Sequence, residues 1–175
     1  MHDDLLANKL GALWAVLGEG FHRGFGALAD STAAVLLTLH HRGPMGVTAL
    51  ARLVGLSQPA CTRLLDGLVA QRQITRNKGE GRQVLVAISA SGHRRAAALQ
   101  RQRLDFASDL LAGLSRAERA TLDRLLDRLV AAPVRDRAHA RHLCRFCDHG
   151  ICTRAVCPIG AAATAIEEKE KAHAD

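Results

Sequence analysis

The stretch Thr48-Ala-Leu-Ala-Arg-Leu-Val-Gly55-Leu-Ser57-Gln-Pro59-Ala-Cys-Thr-Arg-Leu-Leu-Asp-Gly-Leu-Val69 decides the fold of this 175-residue chain. A short helix fits residues 48–54, and Gly55 then supplies a turn. Ser57, with Pro59 just inside the start, opens another helix that runs to about Gln71. Two short helices around a glycine turn form the helix-turn-helix pattern, which the sequence therefore predicts here.

The apolar period changes directly after the second of these helices. Residues 73–78 and 83–89 are rich in the residue types of extended chain, and the segment Asn77-Lys-Gly-Glu-Gly-Arg82 between them has turn chemistry. These two segments predict a β-hairpin with a basic tip. A helix-turn-helix followed by such a hairpin is a winged helix.

Apolar residues at helical spacing flank the winged helix on both sides. They predict one helix over about residues 5–29 and another from Asp30 or Ser31 to His41, where Arg42-Gly43-Pro44 stops it. Beyond the hairpin a long helix fits residues 93–111, and the capping box Ser115-Arg-Ala-Glu118 starts a further helix that Pro133 ends. The fold class is mainly α with a small β wing (α+β), a winged helix-turn-helix with a helical dimerisation region from both termini.

These elements divide the chain into four predicted parts. They are an N-terminal dimerisation helix (1–30), the winged helix-turn-helix DNA-binding domain (31–89), C-terminal dimerisation helices (90–133) and a cysteine-rich metal-binding appendage and tail (134–175). Within the last part, Pro133–Arg141 resembles a short linker, and residues 161–166 predict a small helix that fades into a solvated tail. We expect the terminal helices, which are too apolar to stay solvated, to pack on a second copy of the chain.

This ordered set of segments resembles the MarR family of bacterial winged-helix transcriptional regulators over roughly residues 5–132. The matching pieces are the helix-turn-helix quoted above, Ile74-Thr-Arg, the wing arginine Arg82, and Leu85-Val-Ala-Ile-Ser-Ala-Ser-Gly92. Gly81 departs from the pattern, because many members carry Asp before that arginine. The resemblance implies a homodimer that places each recognition helix in a major groove of promoter DNA and each wing along the adjacent minor groove. Such proteins usually repress a nearby promoter and release it when a small-molecule effector or oxidant shifts the dimer.

The charge of the chain agrees with a polyanionic partner. Its net charge is +7, and arginine supplies 20 of the 24 basic residues; the arginine fork suits phosphates and base edges better than a lysine does. Gln58 can pair with adenine, and Arg63 with guanine or a phosphate. The full set of candidate DNA contacts is Ser57, Gln58, Pro59, Thr62, Arg63, Arg76, Lys78 and Arg82. The structural alternatives are an N-cap for Ser57, a helix surface position for Thr62 and an ion pair with Asp66 for Arg63.

Four of the five cysteines lie close together near the C-terminus, in the pattern C-x2-C-x4-C-x4-C: Cys144, Cys147, Cys152 and Cys157. This spacing suits a tetrahedral zinc site of four thiolates. An iron-sulfur cluster is the alternative, because Pro158 follows the last cysteine as in ferredoxin-type ligation. Metal-free thiols that form reversible disulfides are the third reading, and His142 and His149 are substitute ligands.

Neighbouring cations bear on these thiols. Arg145, His149 and Arg154 are expected to lower the thiol pKa values and to stabilise an anionic centre. The fifth cysteine, Cys61, is expected to pack in the core as a small hydrophobe.

Candidates for an effector pocket lie on the first two helices: Trp14, Phe21, His22, His40 and His41. Core packing explains Trp14 and Phe21 equally well. A small-molecule effector would bind between these helices and the DNA-binding domain.

The same sequence argues against several other classes of protein. It has no nucleophile with its base, no carboxylate dyad and no phosphate loop, so we do not expect an enzyme. It has no secretory signal and no apolar run long enough for a bilayer, so we expect a cytoplasmic protein without a membrane partner. The predicted function is a sequence-specific DNA-binding regulator, a repressor, controlled by the four-cysteine centre. The alternative is a redox or electron-transfer protein that uses the winged helix as a docking scaffold, with a purely structural zinc site as a further variant.

Overall fold

The computed structural model of the chain describes residues 2–25, 30–79, 83–153 and 156–173, with backbone alone at residues 2 and 23–25. Helices dominate the described residues, and three short strands form one sheet. The helices are α1 (His2–Phe25), α2 (Asp30–Arg42), α3 (Val47–Val54), α4 (Gln58–Ala70), α5 (Ala90–Leu111), α6 (Arg116–Ala131), α7 (Arg137–Leu143) and α8 (Pro158–Ala172), with a 3-10 turn at Cys144–Phe146. The strands are β1 (Met45–Gly46), β2 (Ile74–Lys78) and β3 (Val84–Ile88).

The predicted helix-turn-helix is present as α3 and α4. Gly55 ends α3 in the left-handed conformation at φ 73°, and the Leu56 N–H closes the turn on the Ala51 carbonyl at 2.9 Å. Ser57 caps α4, because its side-chain oxygen accepts from the Ala60 N–H at 3.4 Å. These two caps set where α3 stops and where the recognition helix α4 begins.

The predicted hairpin is present as β2 and β3, which pair antiparallel with Ile74 opposite Ile88. The third strand, β1, is a feature that the sequence does not predict. Met45 pairs with Val86 on the other side of β3, giving the order β1-β3-β2. A strand of two residues is too short to show an alternating pattern, so only its tertiary pairing defines it.

The core of the DNA-binding lobe is built around α2, in which every residue from Ala33 to Leu39 is buried. Leu50 and Leu65 from the helix-turn-helix pack against it, as do Val86 from the sheet and Leu99 from α5. Cys61 is fully buried in the same cluster, as expected for a small hydrophobe, and burial raises the pKa of its thiol. The recognition helix is therefore held by a dry, continuous core.

Helix α1 approaches α5 closely at one point. A Cβ on Gly20 would collide with the Phe106 ring, and Phe21 meets the same ring edge-on with centroids 6.2 Å apart. Most of the remainder of α1 is exposed, including Trp14 at 78%. The residues from 26 to 29, which the predicted first helix includes, lie outside the described ranges.

In the C-terminal part of the chain, from α6 onward, the structure confirms one prediction and contradicts two. The capping box of Ser115 and Glu118 is formed at the start of α6. The linker prediction is wrong from Arg137 onward: Asp136 Oδ1 accepts from the His139 N–H at 2.7 Å and starts α7. The last helix is longer than predicted, because α8 runs from Pro158 to Ala172 and packs on α6 and α7.

Contacts far apart in sequence stabilise the α7–α8 pair. Arg137 donates to both carboxylate oxygens of Glu167, at 2.9 and 2.6 Å. Val134, Ala140 and Ala163 form a second, small apolar cluster between these helices. Among the described helices, none has the length and apolarity that crossing a bilayer would demand.

Gly55→Ala is expected to lower the free energy of unfolding by about 1–2 kcal/mol, the cost of a left-handed conformation for an L-residue. The added Cβ would also lie 2.8 Å from Cε1 of His142. Gly67→Ala in α4 is the matched control, because its Cβ would meet no atom within 4 Å, and it should stabilise by about 0.5–1 kcal/mol. Urea titration of the two variants measures both changes; equal effects would contradict the turn geometry.

Candidate nucleic-acid interface and thiol cluster

The first turns of α4 present an exposed polar surface. Gln58, Pro59 and Arg63 are exposed, and Arg63 forms no ion pair within the part of the chain that the structure describes. Thr62 is half-buried, and its hydroxyl donates to the Gln58 carbonyl at 3.0 Å. Gln58 and Arg63 therefore have side chains available to meet a base edge or a phosphate.

Asp66, the predicted alternative partner of Arg63, forms its ion pair with a different arginine. Asp66 pairs with Arg76 of β2, with Oδ1 and Nη1 2.7 Å apart, and this contact ties the recognition helix to the wing. Lys78 is exposed at the end of β2, beside the tip of the hairpin. Arg82 and Gly81 lie outside the described residues, so the DNA contact assigned to Arg82 stays a prediction.

All four clustered cysteines line one cleft of about 990 Å³ between α2, α7 and α8. Cys144 interacts with Cys147 and Cys157, and Cys152 interacts with Cys157 and Cys147. Cys157 also caps α8, since its Sγ accepts from the Gly160 N–H at 3.2 Å. The fold has therefore gathered four thiols that are 13 positions apart in sequence at the extremes.

The pKa values of Cys144, Cys147 and Cys152 are shifted in different directions. The hydrogen bond from Cys144 is the largest cause that lowers the pKa of Cys147 to about 6, and the charges of Arg103 and Arg42 act in the same direction against burial. The same hydrogen bond raises the pKa of Cys144. Burial and the neighbouring Cys157 raise the pKa of Cys152 to about 11. Of the two hydrogen-bonded thiols Cys144 and Cys147, Cys147 is therefore the more acidic.

The arginines beside the thiols in the structure are not the ones that the sequence predicts. Arg42 ends α2 and Arg103 lies on α5; both are half-buried and face the thiols. Arg145, predicted to support the thiolates, instead donates to the His142 carbonyl at 2.9 Å and lies over the Phe146 ring. Arg154 lies outside the described residues. The sequence does not predict Arg42 and Arg103 as neighbours of the thiols, because both lie far from the cysteines along the chain.

The thiols line one cleft but are not arranged as a metal site. Among the described His, Cys, Asp and Glu side chains, no group of three or more has the arrangement of a metal site. Nε2 of His41 and Nε of Arg103, which face this region, are buried without a hydrogen-bond partner there. His41 and the four thiols therefore line the same cleft.

The effector-pocket candidates do not form one site. His40 and His41 pack together, with Nδ1 of His40 2.9 Å from Nδ1 of His93 and the His41 ring stacked on His149. Burial is the main cause that lowers the pKa of both His40 and His41. Phe21 packs on the core, His22 lies 3.6 Å from Asp30, and Trp14 is exposed. His41 alone of the five lines the thiol cleft.

The fold agrees with that of solved winged-helix proteins. It matches a MarR family protein from Bacillus stearothermophilus with a TM-score of 0.67 at 19% identity, covering 73% of this chain and 92% of that chain. It also matches a MepR mutant of Staphylococcus aureus bound to an oligodeoxyribonucleotide, with a TM-score of 0.56 at 14% identity, covering 73% and 96%. The fold is therefore that of the winged helix-turn-helix proteins.

Sequence comparison is more specific. The chain is 34% identical over 103 residues to the uncharacterized HTH-type transcriptional regulator Mb0904 of Mycobacterium bovis. The aligned region covers 58% of this chain and 72% of the relative. The profile of the MarR family matches residues 29–81. The chain belongs to the MarR family of transcriptional regulators. It is accordingly a DNA-binding protein and not an enzyme, and the alternative of an electron-transfer protein is not favoured.

Proposed function

We propose that the protein is a homodimeric repressor that binds promoter DNA through α4 and the wing, under the control of a metal centre at the four cysteines. The observation that carries the DNA-binding part is the exposed first half of α4. Gln58, Pro59 and Arg63 project from a helix whose opposite face is fixed in the core by Cys61 and Leu65. A rigid helix with a free polar edge is what major-groove reading requires.

Arg63→Ala is expected to weaken binding to the preferred operator by about 1–3 kcal/mol, which is roughly 5- to 150-fold. Fluorescence anisotropy on a duplex selected by the wild-type protein from a random library, repeated at several salt concentrations, measures this. If Arg63 binds a phosphate, the salt slope falls by about one; if it reads a guanine, the slope stays and specificity relaxes at one position.

Arg101→Ala is the matched control for this experiment. It removes the same charge from α5, which packs on α1 and α2, whereas α4 packs on α3 and β2. Equal losses in the two variants would mean that only the overall charge matters, and would overturn the assignment of α4 as the reading helix.

The homodimer is supported by the apolar residues that the single chain leaves exposed. They lie on α1, at the end of α5 and on α6: Leu5, Leu6, Leu10, Leu13, Trp14, Val16, Leu110, Leu111, Leu125, Leu126 and Leu129. Clustered exposed apolar residues of this extent mark a protein interface. A second copy of the chain, contributing the same three helices, would cover them.

Metal control is supported by the one cleft that all four thiols line and by the cations beside them. Four thiolates around a divalent metal carry a net negative charge, which Arg42 and Arg103 would offset in a half-buried site. Zinc and an iron-sulfur cluster are both compatible with four thiolates. A visible spectrum of anaerobically purified protein, with metal analysis, separates the two. A centre whose removal leaves DNA affinity unchanged would be a structural site only.

A further inference from the structure

The cysteine-rich segment touches the helix-turn-helix directly. Nδ1 of His142, on α7, lies 2.9 Å from the carbonyl oxygen of Leu53 in the last turn of α3. A carbonyl only accepts hydrogen bonds, so Nδ1 carries the proton and Nε2 is left as an acceptor. The guanidinium of Arg145 lies at 3.3 Å from Nε2, where it can donate. One imidazole therefore lies within hydrogen-bond distance of both the Leu53 carbonyl and the Arg145 guanidinium.

Within the described part of the chain, His142 is the one donor to the Leu53 carbonyl, because the last carbonyls of a helix lack intrahelical donors. The Ala51 and Arg52 carbonyls of the same turn accept from the backbone N–H groups of Leu56 and Gly55, at 2.9 and 3.4 Å. His142 thus completes the cap of α3 from a position 89 residues away.

The His142 ring also lies against the turn between the two helices. A Cβ at Gly55 would come within 2.8 Å of Cε1 of this ring. Since Gly55 separates α3 from α4, the imidazole lies beside the turn that joins them. Any movement of α7 away from this turn would remove a hydrogen bond and a packing contact at the turn of the helix-turn-helix.

Little chain lies between this contact and the thiols. Cys144 directly follows α7 as the first residue of the 3-10 turn, which continues to Phe146, a residue packed against the core of the DNA-binding lobe. Gln100 of α5, in the amide orientation that satisfies both of its groups, donates to the Phe146 carbonyl and accepts from Arg103, each at 3.3 Å. The positions of Cys144 and Cys147 are therefore coupled to that of His142 by a single rigid turn.

We infer that the four-cysteine centre acts on DNA binding within one subunit, through His142 as a cap on the end of α3. This inference rests on the proposed metal control. A metal bound by these thiols would tie Cys144 and Cys147, which follow α7, to Cys157 at the start of α8, and would so hold α7 and His142 against Leu53 and Gly55. The angle between α3 and α4 would then be fixed for the major groove. Without the metal, only the contacts of His142 and the packing of Phe146 hold this segment in place, and the angle is less firmly fixed.

The test compares DNA affinity with and without metal in wild-type protein and in His142→Ala. Each protein is stripped with a chelator and reloaded either with Zn²⁺ alone or, anaerobically, with ferrous iron and sulfide; metal content and anisotropy on the selected duplex are measured. We expect stripping to weaken wild-type binding about 10-fold or more. Reloaded His142→Ala should contain as much metal as wild type yet bind DNA like the stripped protein.

Two further variants keep the test decisive if His142→Ala is unstable. His142→Asn retains an N–H donor near the position of Nδ1 and should restore much of the response. His139→Ala removes another histidine from α7, one whose ring contacts Arg135 rather than the helix-turn-helix, and should respond to metal as wild type does.

The outcomes separate this inference from the proposed function. If His142→Ala, fully loaded, keeps wild-type affinity and the full metal response, the role of His142 is wrong while metal control stands. If stripped and loaded wild type bind equally, metal control is wrong and the inference falls with it. If wild type selects no duplex, the proposed DNA-binding function itself is wrong.

Discussion

Leu129→Glu is expected to convert the proposed homodimer into a monomer and to weaken operator binding by about 100-fold or more, because two linked reading heads gain at least that factor from effective concentration. Leu129 is 52% exposed on α6, beside the exposed Leu125 and Leu126. Burying an unpaired carboxylate in such an interface costs several kcal/mol. Sedimentation velocity gives the oligomeric state, and anisotropy gives the affinity.

Ala120→Glu is the matched control for this change. It adds the same charge to an exposed position of the same helix. At 100° per residue, position 120 points away from the side that carries Leu125 and Leu129. It should leave a dimer with near wild-type affinity. A Leu129→Glu protein that remains dimeric would place the interface elsewhere on the molecule.

Cys157→Ser is expected to remove a metal ligand without removing a helix cap. The Cys157 Sγ caps α8 by accepting from the Gly160 N–H, and serine is itself a preferred N-cap residue. One of four ligands contributes on the order of 3 kcal/mol to a structural zinc site, so metal affinity should fall about 100-fold. Competition with a chromophoric chelator measures this affinity.

Cys61→Ala supplies the control for the loss of a cysteine. Cys61 is buried in the core of the DNA-binding lobe, among apolar residues. This variant should lose some stability but keep the wild-type metal content. Should Cys157→Ser bind metal as tightly as wild type, the four thiols would not be the ligand set.

The fold was predictable from sequence where local signals are strong. Gly55 with Ser57 and Pro59 marks the turn and the start of α4, and Ser115 with Glu118 marks the start of α6; each signal lies within one turn of the helix it defines. The two residues of β1 have no such signal, because only their pairing with β3 makes them a strand.

The errors near the C-terminus have a related cause. A basic stretch after Pro133 resembles a linker when read alone, but the carboxylate that pairs with Arg137 is Glu167, 30 residues further on. The thiols themselves were evident from their spacing. The arginines beside them and the contact of His142 with Leu53 depend on tertiary packing, which sequence spacing cannot report.

Phe146 and His142 bear on how a smaller fragment of this protein should be made. A boundary after Pro133 suits the sequence, yet it would discard the ring that packs against the DNA-binding lobe and the imidazole that caps α3. The truncated product would expose the apolar surface that Phe146 covers and would leave the Leu53 carbonyl without its His142 partner. For crystallisation or NMR, a fragment that ends beyond Phe146 keeps all the contacts that pack the helix-turn-helix and its core, and a fragment that ends at the wing does not.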